Sequence, residues 1–232
     1  MDKSKGFTII ELLIAMALSV VVMALVGSVY YFYSNMSQRQ ERTVEVTQNL
    51  RGGLFALKRD LFLAGYRPNP NNPPSSIGLL SASSTALTIA YVASDDGINN
   101  DGDLFTDEDN EVETITYSLG DGDGDGDNDL LRQSSSGTSI IIENVENIEF
   151  LYREADGTAH LLPTNLLSIK SISVSLLVKS LYPVQGYTST ETWQPLSNTY
   201  KPASYSTITW GPYNDHFLRK IIFTTIYLRN VF

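Results

Sequence analysis

The chain has 232 residues, of which 42% are hydrophobic, and this is enough for one membrane helix and one folded domain of ordinary size. It contains no cysteine, which excludes disulfides and cysteine-based metal or redox sites. The formal net charge of −10 argues against nucleic acid as a partner, because neutralising phosphates requires lysine and arginine.

The first 33 residues contain a hydrophobic segment long enough to cross a bilayer. No charged residue occurs from residue 12 to residue 32, and about 20 apolar residues suffice for a transmembrane helix. Lys3 and Lys5 precede the segment, which predicts a cytoplasmic N-terminus. A cleaved signal peptide would continue into small residues. Here four aromatic residues, 30–33, follow instead, and they suit the membrane interface of a retained helix.

Glu11 lies at the edge of this apolar segment, where a carboxylate is costly. A charge at the centre of a membrane helix costs roughly 2.5–3.5 kcal/mol, and less near an end. Cleavage between Gly6 and Phe7 would place a new α-amine one helical turn from Glu11. That amine, in the same chain or in a neighbour, is the natural counter-charge. The alternative is an interfacial glutamate without a partner.

Residues 6–15 (GFTIIELLIA) resemble the N-terminal motif of type IV pilins and pseudopilins. In that family a short basic leader ends in glycine, and a phenylalanine opens an apolar helix whose fifth residue is glutamate. The resemblance implies that a prepilin peptidase cuts after Gly6 and methylates the amine of Phe7. It divides the chain into a leader (residues 1–6), a transmembrane and filament-core helix (7–33) and a periplasmic or extracellular head (34–232).

The helix is predicted to continue beyond the membrane. Residues 34–66 contain no proline, and four leucines recur there at helical spacing: Leu50, Leu54, Leu57 and Leu61. Together with Phe55 and Phe62 they predict an apolar stripe that packs on a sheet. Gly65 and Pro68 are expected to end the helix.

Six later segments are β-rich or alternate between apolar and polar residues, which predicts strands at 86–92, 113–119, 139–142, 145–153, 169–179 and 217–229. In the fifth segment serines alternate with apolar residues, which predicts a strand buried on one face. Residues 182–214 are rich in proline, serine and threonine and are expected to form a surface loop. A long N-terminal helix followed by strands predicts an α+β fold, with the helix on one face of an antiparallel sheet. This is the type IV pilin fold that the resemblance implies.

Within that family the chain most resembles PilW-type minor pilins. The similarity rests on residues 57–66 (LKRDLFLAGY), 113–117 (ETITY), 131–132 (LR), 144–150 (NVENIEF), 169–174 (IKSISV) and 227–230 (YLRN). It implies a non-enzymatic subunit of the initiation or tip complex of a type IV pilus. Such a subunit spans the bacterial inner membrane before assembly and then enters the pilus. The implied partners are other major and minor pilins, the prepilin peptidase, the inner-membrane assembly machinery and the lipid bilayer.

Two alternatives remain open from the sequence. A J-type pseudopilin of a type II secretion system shares the Arg-Asp-Leu sequence at the helix end. An adhesin displayed on a filament is compatible with the tyrosine- and threonine-rich segment 182–214, which departs from the PilW pattern.

Residues 95–129 hold 14 of the 26 acidic residues and no lysine or arginine. Their mutual repulsion favours cation binding. Aspartates at alternate positions match the first part of an EF-hand loop. The twelfth position of that loop, where an EF-hand has a bidentate glutamate, is occupied here by Arg132. We therefore predict a Ca²⁺-binding loop that is not a true EF-hand. The candidate ligands are Asp121, Asp123, Asp125, Asp127 and Asp129, with Asp95, Asn99, Asp101 and Asp103 from a resemblance to the calcium repeats of exported bacterial proteins. The alternative is a flexible acidic loop.

The sequence offers little for catalysis. The two histidines, His160 and His216, are far apart in the chain, and no nucleophile elbow, phosphate-binding loop or metal-binding histidine pair is present. We therefore predict that the chain is not an enzyme.

Overall fold

A computed structural model of the chain describes residues 6–68, 76–93, 111–202 and 205–230. Its first element is α1 (Ile9–Leu63), a single α-helix of 55 residues. The helix ends just before Gly65, whose φ of +76° is a left-handed conformation that glycine adopts at little cost. The predicted continuation of the apolar helix into the head is therefore confirmed.

The two halves of α1 differ sharply in burial. Side chains at residues 7–33 are almost all exposed, and the buried residues of the helix begin at Val46. The four predicted leucines are all buried against the head. Phe55 was expected beside them but is 73% exposed, because its position is about 100° around the helix from Leu54 and about 160° from Leu57. Phe62 is also exposed, so the predicted stripe was too wide.

The strands form two antiparallel sheets instead of the one that was predicted. The first sheet has the order β1 (Gly78–Ala82), β2 (Leu87–Val92), β3 (Val112–Gly120), β4 (Asp129–Ser134) and β5 (Gly137–Ile142). The second has the order β7 (Ala159–His160), β6 (Val145–Glu154), β8 (Ile169–Lys179) and β9 (Arg219–Tyr227). Between β5 and β6, Asn144 has a φ of +58° and turns the chain from one sheet to the other. The predicted α+β class is confirmed.

The core lies between α1 and both sheets. Leu57 and Leu61 are fully buried in one cluster with Ile115 of β3 and Leu176 of β8. Gly53 allows the closest approach, since a Cβ there would lie 1.9 Å from the side chain of Ile142. One face of each sheet is thus held against the helix.

The segment formed by residues 180–202 and 205–218 is largely exposed and irregular, as predicted for a surface loop, but part of it packs on the other face of the second sheet. This segment, called the cover segment below, contains a short helix α2 (Ser197–Tyr200) and a Trp193–Trp210 bridge. Leu196 donates its N–H to Ser175 Oγ at 2.9 Å. This packing buries three serines of β8: Ser171, Ser173 and Ser175. β8 is therefore buried on both faces instead of one.

Candidate functional site

The N-terminus of α1 is closed by a capping box. Thr8 Oγ1 accepts the N–H of Glu11 at 3.3 Å, and Glu11 Oε2 accepts the N–H of Thr8 at 2.8 Å. The Thr8 hydroxyl also donates to Glu11 Oε2 at 2.9 Å. The Glu11 carboxylate therefore satisfies the amide of the N-cap residue, and the Thr8 hydroxyl satisfies one amide in the first turn.

The predicted processing site lies directly before this cap and is open to solvent. Phe7 is 94% exposed, and no atom lies within 4 Å of where a Cβ on Gly6 would be. Beyond Glu11 the helix carries no charged residue before Arg39. Among the described residues, α1 is the helix whose length and apolar content allow it to cross a membrane.

The fold and the N-terminal motif both have known counterparts. A type IV-like pilin from Thermus thermophilus is similar in structure, with a TM-score of 0.53 and 18% sequence identity, over 80% of this chain and 97% of that chain. Residues 1–27 match the family model described as the prokaryotic N-terminal methylation motif. The chain therefore has the fold of a type IV-like pilin and carries an N-terminal methylation motif. A comparison with curated protein sequences gave no match.

The second candidate site is the acidic turn, residues 121–129, which joins β3 to β4. Oxygens of Asp121, Asp123 and Asp129 lie within 4.8 Å of one another. Asp121 accepts the N–H of Gly124 at 2.7 Å and that of Gly126 at 3.1 Å. The turn is therefore organised by its own backbone amides, which also offset part of the carboxylate charge.

The structure separates the other predicted ligands from this group. Asp127 Oδ1 pairs with Lys179 Nζ at 2.6 Å, and Asp125 accepts the N–H of Asp127 at 2.8 Å. Asp129 is buried, and its two oxygens accept the N–H groups of Gly122 and Asn144. Three of the five predicted carboxylates thus lie together. The remaining candidates are outside the described residues: Asp95, Asn99, Asp101 and Asp103.

A buried charged group that was not predicted lies where α1 meets the first sheet. Asp60 is 1% exposed and accepts hydrogen bonds from Arg132 Nε at 2.6 Å and the Tyr117 hydroxyl at 2.8 Å. Burial and the neighbouring carboxylate raise the pKa of Tyr117 above its usual range. A signal was present, because Asp60 follows Leu57 by three residues and so lies on the buried face of the helix.

A second buried carboxylate, Glu149 of β6, anchors the cover segment. Its oxygens accept the N–H of Ser197 at 3.0 Å and the Ser197 hydroxyl at 2.6 Å. Burial raises the pKa of Glu149, and the hydrogen bonds from Ser197 and Ser175 oppose that shift. Nothing in the sequence indicated this contact, because its partners are 48 residues apart.

The two histidines remain separate in the structure. His160 Nε2 lies 2.9 Å from Glu154 Oε1 on the second sheet, and His216 bonds to the carbonyl of Tyr187 in the cover segment. Each therefore has a local partner, as expected for histidines in loops and at strand ends.

Proposed function

We propose that this pilin-like protein is a minor pilin, a non-enzymatic subunit of the initiation or tip complex of a type IV pilus. The observation that carries the proposal is the uncovered apolar half of α1. Among the described residues nothing covers residues 7–33, whereas the head buries the helix from Val46 onward. Such a surface requires lipid before assembly and other apolar helices after it.

The N-terminal motif supports processing between Gly6 and Phe7 by a prepilin peptidase, followed by methylation of the Phe7 amine. Lys3 and Lys5 favour a cytoplasmic leader, so the head would face the periplasm before assembly. The new amine would then lie near Glu11 of the same subunit or of its neighbour. In the filament this charge pair would set the register between helices.

An exposed stripe on α1 supports lateral contacts of the head. Arg51, Phe55, Lys58 and Phe62 follow one another at spacings of four, three and four residues, so they share one face of the helix. All four are exposed, and neither Arg51 nor Lys58 forms an ion pair within the described residues. Apart from the buried Asp60, residues 46–67 contain no acid. The stripe therefore suits an acidic, partly apolar surface on a neighbouring subunit.

The experiment is deletion of the gene in its host, with complementation by the wild-type chain. We expect the number of pili to fall, and the chain to be present in sheared pili in far smaller amounts than the major pilin. Normal pili with loss of protein secretion would instead identify a J-type pseudopilin. Normal pili with loss of surface attachment would identify an adhesin.

A further inference from the structure

The position of Arg39 along α1 sets the height of this residue above the bilayer. Arg39 is the first charged residue after Glu11, and it follows the aromatic residues 30–33 by six positions. At 1.5 Å per residue its Cα lies about 9 Å beyond the aromatic belt. The headgroup layer is about 5–8 Å thick on each side of the hydrocarbon. Because helical side chains lean toward the N-terminus, the guanidinium lies still closer to the membrane.

The cover segment reaches down to this level. Arg39 Nη2 donates a hydrogen bond to the carbonyl of Gly186 at 2.9 Å. One turn further up the helix, Arg42 stacks on the ring of Tyr182 at 4.9 Å, and the N–H of Leu181 bonds to Glu45 Oε1 at 3.3 Å. Residues 181–186 therefore run along α1 toward the membrane, and Gly186 is held at the height of Arg39.

The composition of residues 181–190, the part of the cover segment nearest the membrane, fits a lipid interface. Residues 181–190 contain no charged side chain, although the whole chain carries a net charge of −10. Leu181 and Tyr182 are exposed, and Pro183 and Gln185 are exposed beside them. Tyrosine is enriched at membrane interfaces because its ring is apolar and its hydroxyl is polar.

We infer that the turn at residues 183–187 rests in the phospholipid headgroup layer of the leaflet on the head side while the subunit is in the membrane. Arg39 holds this turn there through its hydrogen bond to Gly186, and the remaining N–H groups of Arg39 face the phosphates. This contact would fix the tilt of the head on the bilayer before the subunit is extracted. The inference rests on the membrane insertion of residues 7–33 that the proposed function also requires.

The absence of cysteine allows a direct test on the full chain. Gln185→Cys and Ser136→Cys variants are labelled with a small fluorophore and reconstituted in phospholipid vesicles that carry a nitroxide quencher on the headgroup. Ser136 is an exposed control at the far end of the head. It follows β4, whose Arg132 contacts Asp60, about 31 Å further along the helix than Arg39.

We expect headgroup quenching to be several-fold stronger at position 185 than at position 136. In the Gln185→Cys background, Arg39→Ala should weaken the quenching, whereas Arg51→Ala, at an exposed arginine on the same helix, should not. Equal, weak quenching at both positions in a chain that resists carbonate extraction would overturn the inference and leave membrane insertion intact. The inference would also fail if position 185 became shielded only after the subunit joined a filament. Extraction of the chain by carbonate would count against the proposed function itself.

Discussion

The Tyr117 hydroxyl of β3 donates a hydrogen bond to Asp60 of α1 at 2.8 Å, across 57 residues of sequence. Arg132 of β4 donates to the same carboxylate oxygen at 2.6 Å. One buried carboxylate thus ties the long helix to two neighbouring strands of the first sheet. It fixes the rotation of the helix about its axis, and therefore which of its residues remain exposed.

Removing the Tyr117 hydroxyl and removing the Asp60 carboxylate should destabilise the head to different extents. Tyr117→Phe removes one hydrogen bond, and we expect it to lower the free energy of unfolding by about 1–2 kcal/mol. Asp60→Ala leaves Arg132 without its counter-ion, and we expect a loss of about 3–5 kcal/mol. Chemical denaturation in detergent micelles measures both. The control is Arg59→Ala, which removes an exposed partner of Asp60 and should cost less than about 1 kcal/mol. A loss no larger for Asp60→Ala than for this control would contradict the prediction.

The contact between Glu149 and the cover segment should depend on pH. Because burial raises the pKa of Glu149 in the folded state, folding favours the protonated carboxyl. Its contribution to stability is therefore complete below the ordinary pKa of 4.5 and is lost as the pH rises through the folded value. The melting temperature of Glu149→Gln, relative to that of wild type, should rise as the pH is raised from about 4 through the folded pKa of Glu149. Glu149→Ala removes the acceptor of Ser197 and should be less stable throughout. A constant difference for Glu149→Gln would show that the buried carboxyl does not titrate in this range.

Processing should occur after Gly6. In cells with an active prepilin peptidase, mass spectrometry should find a mature chain that begins with methylated Phe7. A Gly6→Val variant should remain uncut. Because a Cβ at Gly6 meets no neighbour, a loss of cleavage in this variant reports recognition by the peptidase and not misfolding. A wild-type chain that still begins with Met1 would remove the pilin assignment.

Two substitutions separate the charge of Glu11 from its role in the helix cap. Glu11→Ala should insert in the membrane normally or better, because a costly charge is lost, but should enter filaments poorly. Glu11→Gln keeps an oxygen that accepts the N–H of Thr8 but carries no charge. We expect it to be as defective as alanine, since the amine of Phe7 needs a carboxylate. Normal incorporation of Glu11→Gln would assign the role to the cap instead.

The calcium prediction now rests on the three grouped carboxylates of the acidic turn. Without a bidentate ligand, such a site is expected to bind in the range of about 10⁻⁴–10⁻³ M. Millimolar Ca²⁺ should raise the melting temperature more than Mg²⁺ does, because only the folded chain assembles the ligands. Asp121→Asn combined with Asp123→Asn should abolish the shift. Asp125→Asn, outside the group, is the matched control. Equal shifts with both cations, or none, would identify a solvated acidic turn.

Local sequence determined the features that depend on neighbouring residues. The apolar run and the absence of proline up to Tyr66 predicted the long helix, and the order of Gly6, Phe7 and Glu11 predicted the methylation motif that residues 1–27 match. Alternation predicted six strands within a few residues of their ends. Three others were missed because the local pattern was weak: β7 is only two residues long, β1 is short, and β4 begins at Asp129 within the acidic run.

Only the tertiary structure decided which faces are covered. The serines of β8 looked solvent-facing, but a segment that follows them folds back over the sheet and buries them. Asp60 and Glu149 looked like ordinary polar residues until strands and the cover segment supplied their partners from 48 or more residues away. The alternating aspartates looked equivalent in the sequence, yet Asp127 forms an ion pair with Lys179 and lies outside the group of Asp121, Asp123 and Asp129. Periodicity along a chain reports which side chains share a face, whereas burial and pairing depend on what packs against that face.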